Sequence, residues 1–226
     1  MKKLLFVLAS ILLFGNTFAQ NSDDYKAFIK ERKAVQKMTE SERSSKVAKD
    51  VKKQAKGYAK DGWKVNIGAL SIEKQLEKSQ QMQYEMDMNT GMPKYIMGES
   101  KATSSSYGAA KMQATAQAKT ELAGNVQTEV AALIEERLGN NEMGNGEAVA
   151  ISEAIQVSKQ SIAQSIGRVI TVIEVYRELP NKNFEVQVRI LYNAEMAALA
   201  AKKAMKEELE KKGDKLSEQL DSLLGF

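Results

Sequence analysis

The sequence predicts an α+β fold: a small antiparallel sheet packed by one long helix, with helical extensions at the N- and C-terminal ends. Three patterns predict it. Alanine and branched apolar residues recur at steps of four from 107 to 138, which is the spacing of one helix face. Two β-branched segments flank the turn residues Pro180–Asn183, as in a β-hairpin. Stretches rich in Lys, Glu and Ala, typical of helices, lie on both sides of this core.

The N-terminal segment MKKLLFVLASILLFGNTFAQ has the pattern of a secretory signal peptide. Two lysines precede an apolar run from Leu4 to Phe14, and small residues lie shortly before Gln20. The run is shorter than the roughly 20 residues of a membrane-spanning helix, so we expect cleavage between Ala19 and Gln20. The chain contains no cysteine that could be acylated. The expected location is therefore periplasmic or secreted, without a lipid anchor.

The composition of residues 20–62 predicts a basic helical arm. From 21 to 62 there are twelve Lys and Arg against seven Asp and Glu, a net charge of +5, whereas 63–226 carry a net −3. Val47, Val51 and Ala55 recur at steps of four, which gives a narrow apolar stripe suited to docking on a neighbouring element. The mixed charges fit a solvated helix, and weak contact with anionic envelope components is the alternative.

The core is predicted to begin at Trp63. Apolar and polar residues alternate from Trp63 to Ile67, which predicts a short half-buried strand. A helix is expected from Leu70 to Tyr84, a turn from 87 to 95, and a second strand from Tyr95 to Thr103.

The long helix is predicted from Tyr107 to Leu138, and a second helix from Glu147 to Ile166 follows a glycine-rich loop. The hairpin comes next, since apolar and polar residues alternate strictly from Phe184 to Tyr192. Helices are expected on one face of the resulting sheet. The expected organisation is a signal peptide at 1–19, the arm at 20–62, the α+β core at 63–193 and a helical extension at 194–226.

The sequence lacks the residues that several kinds of catalytic centre and metal site require. Without histidine or cysteine the chain cannot build a Ser-His-Asp centre, a Cys-His centre or the usual structural zinc site. A serine nucleophile with a lysine base remains possible, and Ser104–Ser106 near Lys101 is the place for it. Three serines before a helix are more typical of an N-cap, because their hydroxyls bind free N–H groups of the first turn.

No cofactor or metal is expected. The segment Asp87–Gly91 resembles the start of a calcium loop, but the twelfth position is Gly98, where a bidentate glutamate is needed. Phosphate-binding glycine motifs are missing from the sequence. Nucleic acid is not an expected partner either, since basic residues are not interleaved with aromatic residues on the predicted strands.

The run from Tyr95 to Tyr192 resembles the LPP-twenty lipoprotein family of bacterial cell envelopes and the N-terminal domain of the flagellar assembly protein T. Ala118, Leu122 and Ala123 match the helix pattern of the family, and EVQVRI at 185–190 matches its closing strand. The resemblance implies a dodecin-like β-α-β-β core and an interaction role in the envelope. It implies no catalytic residue, and this chain departs from the lipoproteins by lacking their acylated cysteine.

The leading functional hypothesis is a non-enzymatic envelope protein that binds a protein partner or assembles with itself. Its contact surfaces would be the terminal helices, near 46–60 and 194–224. A small-ligand or lipid carrier with a pocket between the long helix and the sheet is the alternative. A hydrolase that uses serine and lysine is a third and weaker one.

Overall fold

The computed structural model describes residues 40–87, 92–138 and 145–210, together with Lys30, Ala34 and Leu220. The predicted signal peptide and its cleavage site at Ala19 and Gln20 lie outside the described residues. The elements in chain order are α1 (Glu40–Lys60), α2 (Ile72–Gln83), β1 (Tyr95–Ser104), α3 (Tyr107–Leu138), α4 (Asn145–Val157), α5 (Lys159–Ser165), β2 (Ile170–Glu178), β3 (Phe184–Asn193) and α6 (Ala194–Glu210).

The three strands form one antiparallel sheet in the order β1-β3-β2. β1 pairs with β3 without interruption, from Tyr95 opposite Asn193 to Ser104 opposite Phe184. β2 and β3 form the predicted hairpin, whose turn places Lys182 at a φ of 66°. The α+β class and the β-α-β-β order of its core are therefore confirmed.

The long helix α3 covers one face of the sheet. The alanines and branched residues at its predicted steps of four are all buried: Ala110, Ala114, Ala118, Leu122, Val126, Val130 and Ile134. A β-carbon added to Gly98 would lie 2.2 Å from the carbonyl oxygen of Ala118 and 2.7 Å from Cβ of Leu122. Backbone thus contacts backbone where α3 crosses β1, and the predicted ligand pocket has no space at this contact.

The other face of the sheet is covered as well, so the expectation of helices on one face is wrong. α1 and α2 pack there through a second apolar cluster formed by Val51, Trp63, Leu76, Ile173 and Val175. Two residues of the predicted apolar stripe dock there, because Val51 is only 2% exposed and Ala55 packs beside it. The described part of the arm therefore belongs to the folded body.

Two predicted elements differ in the structure. The strand expected from Trp63 to Ile67 is reduced to one bridge between Lys64 and Tyr176, because the chain turns away at Gly68, which has a φ of +83°.

The helix expected from Glu147 to Ile166 breaks at Ser158. The hydroxyl of Ser158 donates to the carbonyl of Ile155 at 2.7 Å, and the side chain of Gln127 donates to the same carbonyl. These bonds compete with the regular helical bond.

The helix α6 uses its apolar stripe inside the chain. Its buried residues join the main core: Ala197, Ala201, Ala204, Met205 and Leu209. They pack with α3, α4 and α5. The predicted leucine-rich end beyond α6 lies outside the described residues apart from Leu220, which is buried. A partner of α6 would therefore meet its outward side, where Met196 and Leu199 are half exposed.

Candidate interaction surface

The free edge of β1 is capped by polar side chains of α3. Asn125 Nδ2 donates to the carbonyl of Met97 at 2.7 Å, and the backbone N–H of Glu99 donates to a carboxylate oxygen of Glu121 at 3.3 Å. Burial raises the pKa of Glu121. Since these backbone groups already have partners, the middle of this edge is closed to an added strand.

The edge of β2 is covered by the connection between α1 and α2. Lys64 and Tyr176 exchange two backbone hydrogen bonds of 2.7 and 2.9 Å. The backbone N–H of Glu174 donates to the side-chain oxygen of the buried Gln75 at 2.7 Å, while Gln75 Nε2 donates to the carbonyl of Leu70 at 2.8 Å. One buried amide therefore joins the strand edge to the connecting segment.

Residues 66–70, which we call the 66–70 loop, form a tight turn at this edge. The backbone N–H of Ala69 donates to the carbonyl of Asn66 at 3.1 Å, and Gly68 occupies the third turn position with a φ of +83°. This is the type II geometry, which needs a positive φ at that position and therefore favours glycine. Ile67 occupies the second position, at the apex of the turn.

The start of the loop is anchored to the opposite side of the sheet edge. Asn66 Nδ2 donates to the hydroxyl of Tyr107, and that hydroxyl donates to Glu174 at 2.5 Å. Lys111 Nζ lies 2.8 Å from the same carboxylate oxygen. Burial, the hydrogen bond to Glu174 and the charge of Glu174 raise the pKa of Tyr107 to about 12. The phenol thus keeps its proton at neutral pH, and the anchor persists across the physiological range.

The apex of this anchored loop is apolar and exposed. Ile67 is fully exposed and Leu70 is 56% exposed, while Gly68 and Ala69 between them are exposed as well. A single exposed apolar side chain is ordinary. Two of them on a turn held by hydrogen bonds form a preorganised contact, because little conformational entropy remains to be lost on binding.

A second group of polar side chains lies beneath α1 and α2 and serves their docking. Arg189 donates to Glu99 through Nε at 3.0 Å and Nη2 at 2.7 Å, and to the buried hydroxyl of Ser79 at 3.0 Å. Gln187 Nε2 donates to Glu99 and, at 2.7 Å, to the hydroxyl of Tyr58. These groups bind one another, so the network fastens two helices to the sheet.

The residues considered for catalysis are not brought together. Lys101 Nζ lies 5.5 Å from the ring centroid of Trp63, on the face covered by α1 and α2. Ser104 lies on the other face of β1, because it is three residues along the strand. Ser106 is the N-cap of α3, as predicted, since its hydroxyl accepts from the N–H of Ala109 at 3.3 Å.

The described residues were also considered for a metal site. Across 40–87, 92–138 and 145–210, no group of three or more acidic residues is placed to hold a metal ion. The backbone N–H of Asp87 donates to the carbonyl of Met92 at 2.8 Å, and 88–91 lie outside the described residues. Gly98, at the twelfth position of the calcium-like pattern, is buried against α3.

Sequence reasoning missed the 66–70 loop. The alternation from Trp63 to Ile67 predicted that Ile67 would be buried, and the structure leaves it exposed. The signal that could have found it is the four-residue string Asn-Ile-Gly-Ala, because glycine in third position is typical of a type II turn.

Glu129 offers a pH-dependent reporter of the fold. Burial raises the pKa of this half-buried carboxyl on α3 from 4.5 to about 8. A raised pKa means that the folded state binds the proton more tightly than the unfolded state, so stability is lost as pH rises from about 4.5 to 8. We expect the Glu129→Gln variant to match the parent near pH 5 and to exceed its free energy of unfolding by about 2–3 kcal/mol at pH 8.5.

Urea denaturation at both pH values measures this difference. Glu178→Gln, which alters an exposed carboxylate at the end of β2, is the matched control for the loss of one carboxylate. If the free energy of unfolding depended on pH equally in the parent and in Glu129→Gln, the raised pKa of Glu129 would be contradicted.

Comparison with known protein families, characterised proteins and solved structures finds no match to this chain. Within the described residues, no helix combines the length and the apolar character needed to cross a membrane.

Proposed function

We propose that this chain is an exported, non-enzymatic protein of the bacterial cell envelope that binds a protein partner through the 66–70 loop. The observation that carries the proposal is the full exposure of Ile67 at the apex of a turn anchored on both sides. The export pattern at 1–19 and the resemblance to envelope proteins support the location. The lack of histidine and cysteine agrees with a binding role.

The contacts of the other candidate surfaces favour the loop. Both edges of the sheet carry capped backbone groups, at Met97 and Glu99 on β1 and at Glu174 and Tyr176 on β2. Strand addition would have to displace these bonds and would deprive their present donors and acceptors of a partner. The apolar stripe of α6 is already packed within the chain. An apolar apex can instead enter a pocket of a partner without breaking any existing contact.

The carrier hypothesis receives less support. Its pocket was expected between the long helix and the sheet, where the Gly98 backbone lies against α3. Self-association through the helical ends stays a proposal, with Met196 and Leu199 as the outward apolar residues of α6 that could serve it.

Replacing the apex residues tests the proposed contact. We expect Ile67→Ser combined with Leu70→Ser to reduce capture of the envelope partner at least tenfold, because two anchoring side chains are removed. The melting temperature should change by no more than about 1–2 °C, since exposed side chains lose few contacts. The measurement is quantitative crosslinking of the full chain in its own envelope, followed by mass spectrometry.

Met112→Ser is the matched control, because Met112 is also an exposed apolar residue, at 70% exposure on α3. Its capture yield should equal that of the parent. The same partner recovered at parental yield with the double variant would refute the loop as the contact. Light scattering of the purified chain shows whether it forms a dimer, and so distinguishes a second copy from another protein as the partner.

A further inference from the structure

The outward face of α1 carries a row of four lysines: Lys49, Lys53, Lys56 and Lys60. Successive members are four, three and four residues apart, which places them within an arc of about 60° at roughly 100° per residue. The centre of that arc lies opposite Val51, a residue of α1 that is buried against the sheet side of the helix. The row therefore points away from the body.

The row is exposed and basic. All four lysines are exposed, and within the described part of the chain none of them forms an ion pair or a side-chain hydrogen bond. Lys74, Lys94 and Lys111 behave differently, because each lies within 2.8 Å of a glutamate oxygen. From 49 to 60 the helix holds five lysines and one aspartate, a net charge of +4.

The orientation of the row is held by contacts on the opposite side of α1. Val51 packs in the second cluster, and the hydroxyl of Tyr58 accepts from Gln187 in the central strand at 2.7 Å. α1 cannot rotate about its axis without breaking both contacts. The lysines thus form a fixed, straight array about 16 Å long, from 11 steps of about 1.5 Å.

We propose that this lysine row docks the protein on an anionic lipid surface. Lysine is a compact, mobile point charge, which suits phosphates that move in a fluid layer, whereas discrete phosphate sites favour the planar fork of arginine. The row lacks the apolar or aromatic anchor that a protein hot spot needs. It also lacks the aromatic platform of a nucleic-acid site, since Tyr58 points inward to Gln187.

This inference is independent of the 66–70 loop and goes beyond the proposed function. Basic side chains near an anionic membrane surface each raise the partition coefficient by about fivefold at physiological salt. Four lysines acting together therefore predict an increase of about a hundredfold or more over the same chain without them.

Sedimentation of the full chain with vesicles tests the row. We expect binding to phosphatidylcholine vesicles that contain about one third phosphatidylglycerol. That binding should be lost near 0.5 M salt, because the distance over which charges attract one another falls to a few ångströms. Replacing all four lysines by glutamine should lower the partition coefficient about a hundredfold. The apolar segment 4–14 is common to all variants, so its contribution cancels in this ratio.

The matched control removes the same number of positive charges elsewhere. In it, glutamine replaces four other exposed lysines: Lys78, Lys159, Lys182 and Lys203. It should retain parental binding within a few-fold. Equal losses in both quadruple variants would show an effect of net charge and overturn the proposal. Failure of the parent to bind anionic vesicles, with charge-dependent capture of an acidic protein instead, would overturn it in favour of that partner. Ile67→Ser with Leu70→Ser should bind vesicles as the parent does, which separates this test from that of the loop.

Discussion

Gly98→Ala is expected to lower the free energy of unfolding by about 3–4 kcal/mol. The new methyl group would lie 2.2 Å from the carbonyl oxygen of Ala118 and 2.8 Å from the backbone nitrogen of Leu122. Both are backbone atoms of α3, so relief requires the helix to move away from β1. That movement would loosen the contacts of Ala114 and Ala118, which are completely buried against the sheet.

The matched control is Gly108→Ala in the first turn of α3. Nothing lies within 4 Å of the added atom there, and alanine is favoured over glycine in helices by up to about 1 kcal/mol. The two substitutions should therefore change stability in opposite directions. Chemical denaturation of both variants measures the difference, and a Gly98→Ala variant as stable as the parent would disprove the close helix-to-strand contact.

Arg189→Met is expected to destabilise the fold by about 3–5 kcal/mol. The guanidinium binds Glu99 through two nitrogens and the hydroxyl of Ser79 through a third. Its side chain is 15% exposed and that of Glu99 is 22% exposed. Methionine fills a similar volume but leaves the carboxylate and the buried hydroxyl without this partner. Loss of the network should also loosen α1 and α2, because Ser79 and Tyr58 belong to them.

Lys94→Met is the comparison, since Lys94 and Glu85 form an ion pair whose side chains are 40% and 44% exposed. Water screens that pair, so its loss should change stability by no more than about 1 kcal/mol. Adding Glu99→Gln to Arg189→Met should recover part of the stability, because the unpaired charge is removed. Similar losses for Arg189→Met and Lys94→Met would contradict a buried network.

The elements that local periodicity encodes could be predicted from the sequence. The long helix was predicted with its bounds at Tyr107 and Leu138, because a spacing of four that continues over about seven turns, from Ala110 to Ile134, is typical only of a helix. The hairpin was predictable for a similar reason, since strict alternation meets a proline-containing turn at Pro180. Ser106 as a helix cap also follows from local chemistry.

The position of α1 and α2 on the second face of the sheet could not be predicted, because their contacts join distant parts of the chain. Gln187 and Arg189 alternate with apolar residues and therefore suggest a solvent-facing side of β3. In the structure they bind Tyr58 and Ser79, which are 129 and 110 residues away in sequence. A polar residue at a strand position has the same sequence signature whether water or a buried partner satisfies it.

The lysine row and the 66–70 loop also depend partly on local sequence and partly on tertiary structure. The sequence by itself determined that α1 has lysines at helical spacing, because period and charge are local properties. Only the tertiary structure decided that they point outward, since that depends on which side of α1 the sheet buries. Likewise, the string Asn-Ile-Gly-Ala favours a turn, but the exposure of Ile67 was decided by tertiary contacts. Asn66 is anchored to Tyr107, and Leu70 is held by Gln75, which binds the distant Glu174. Burial is a property of the assembled layers, and no single segment contains it.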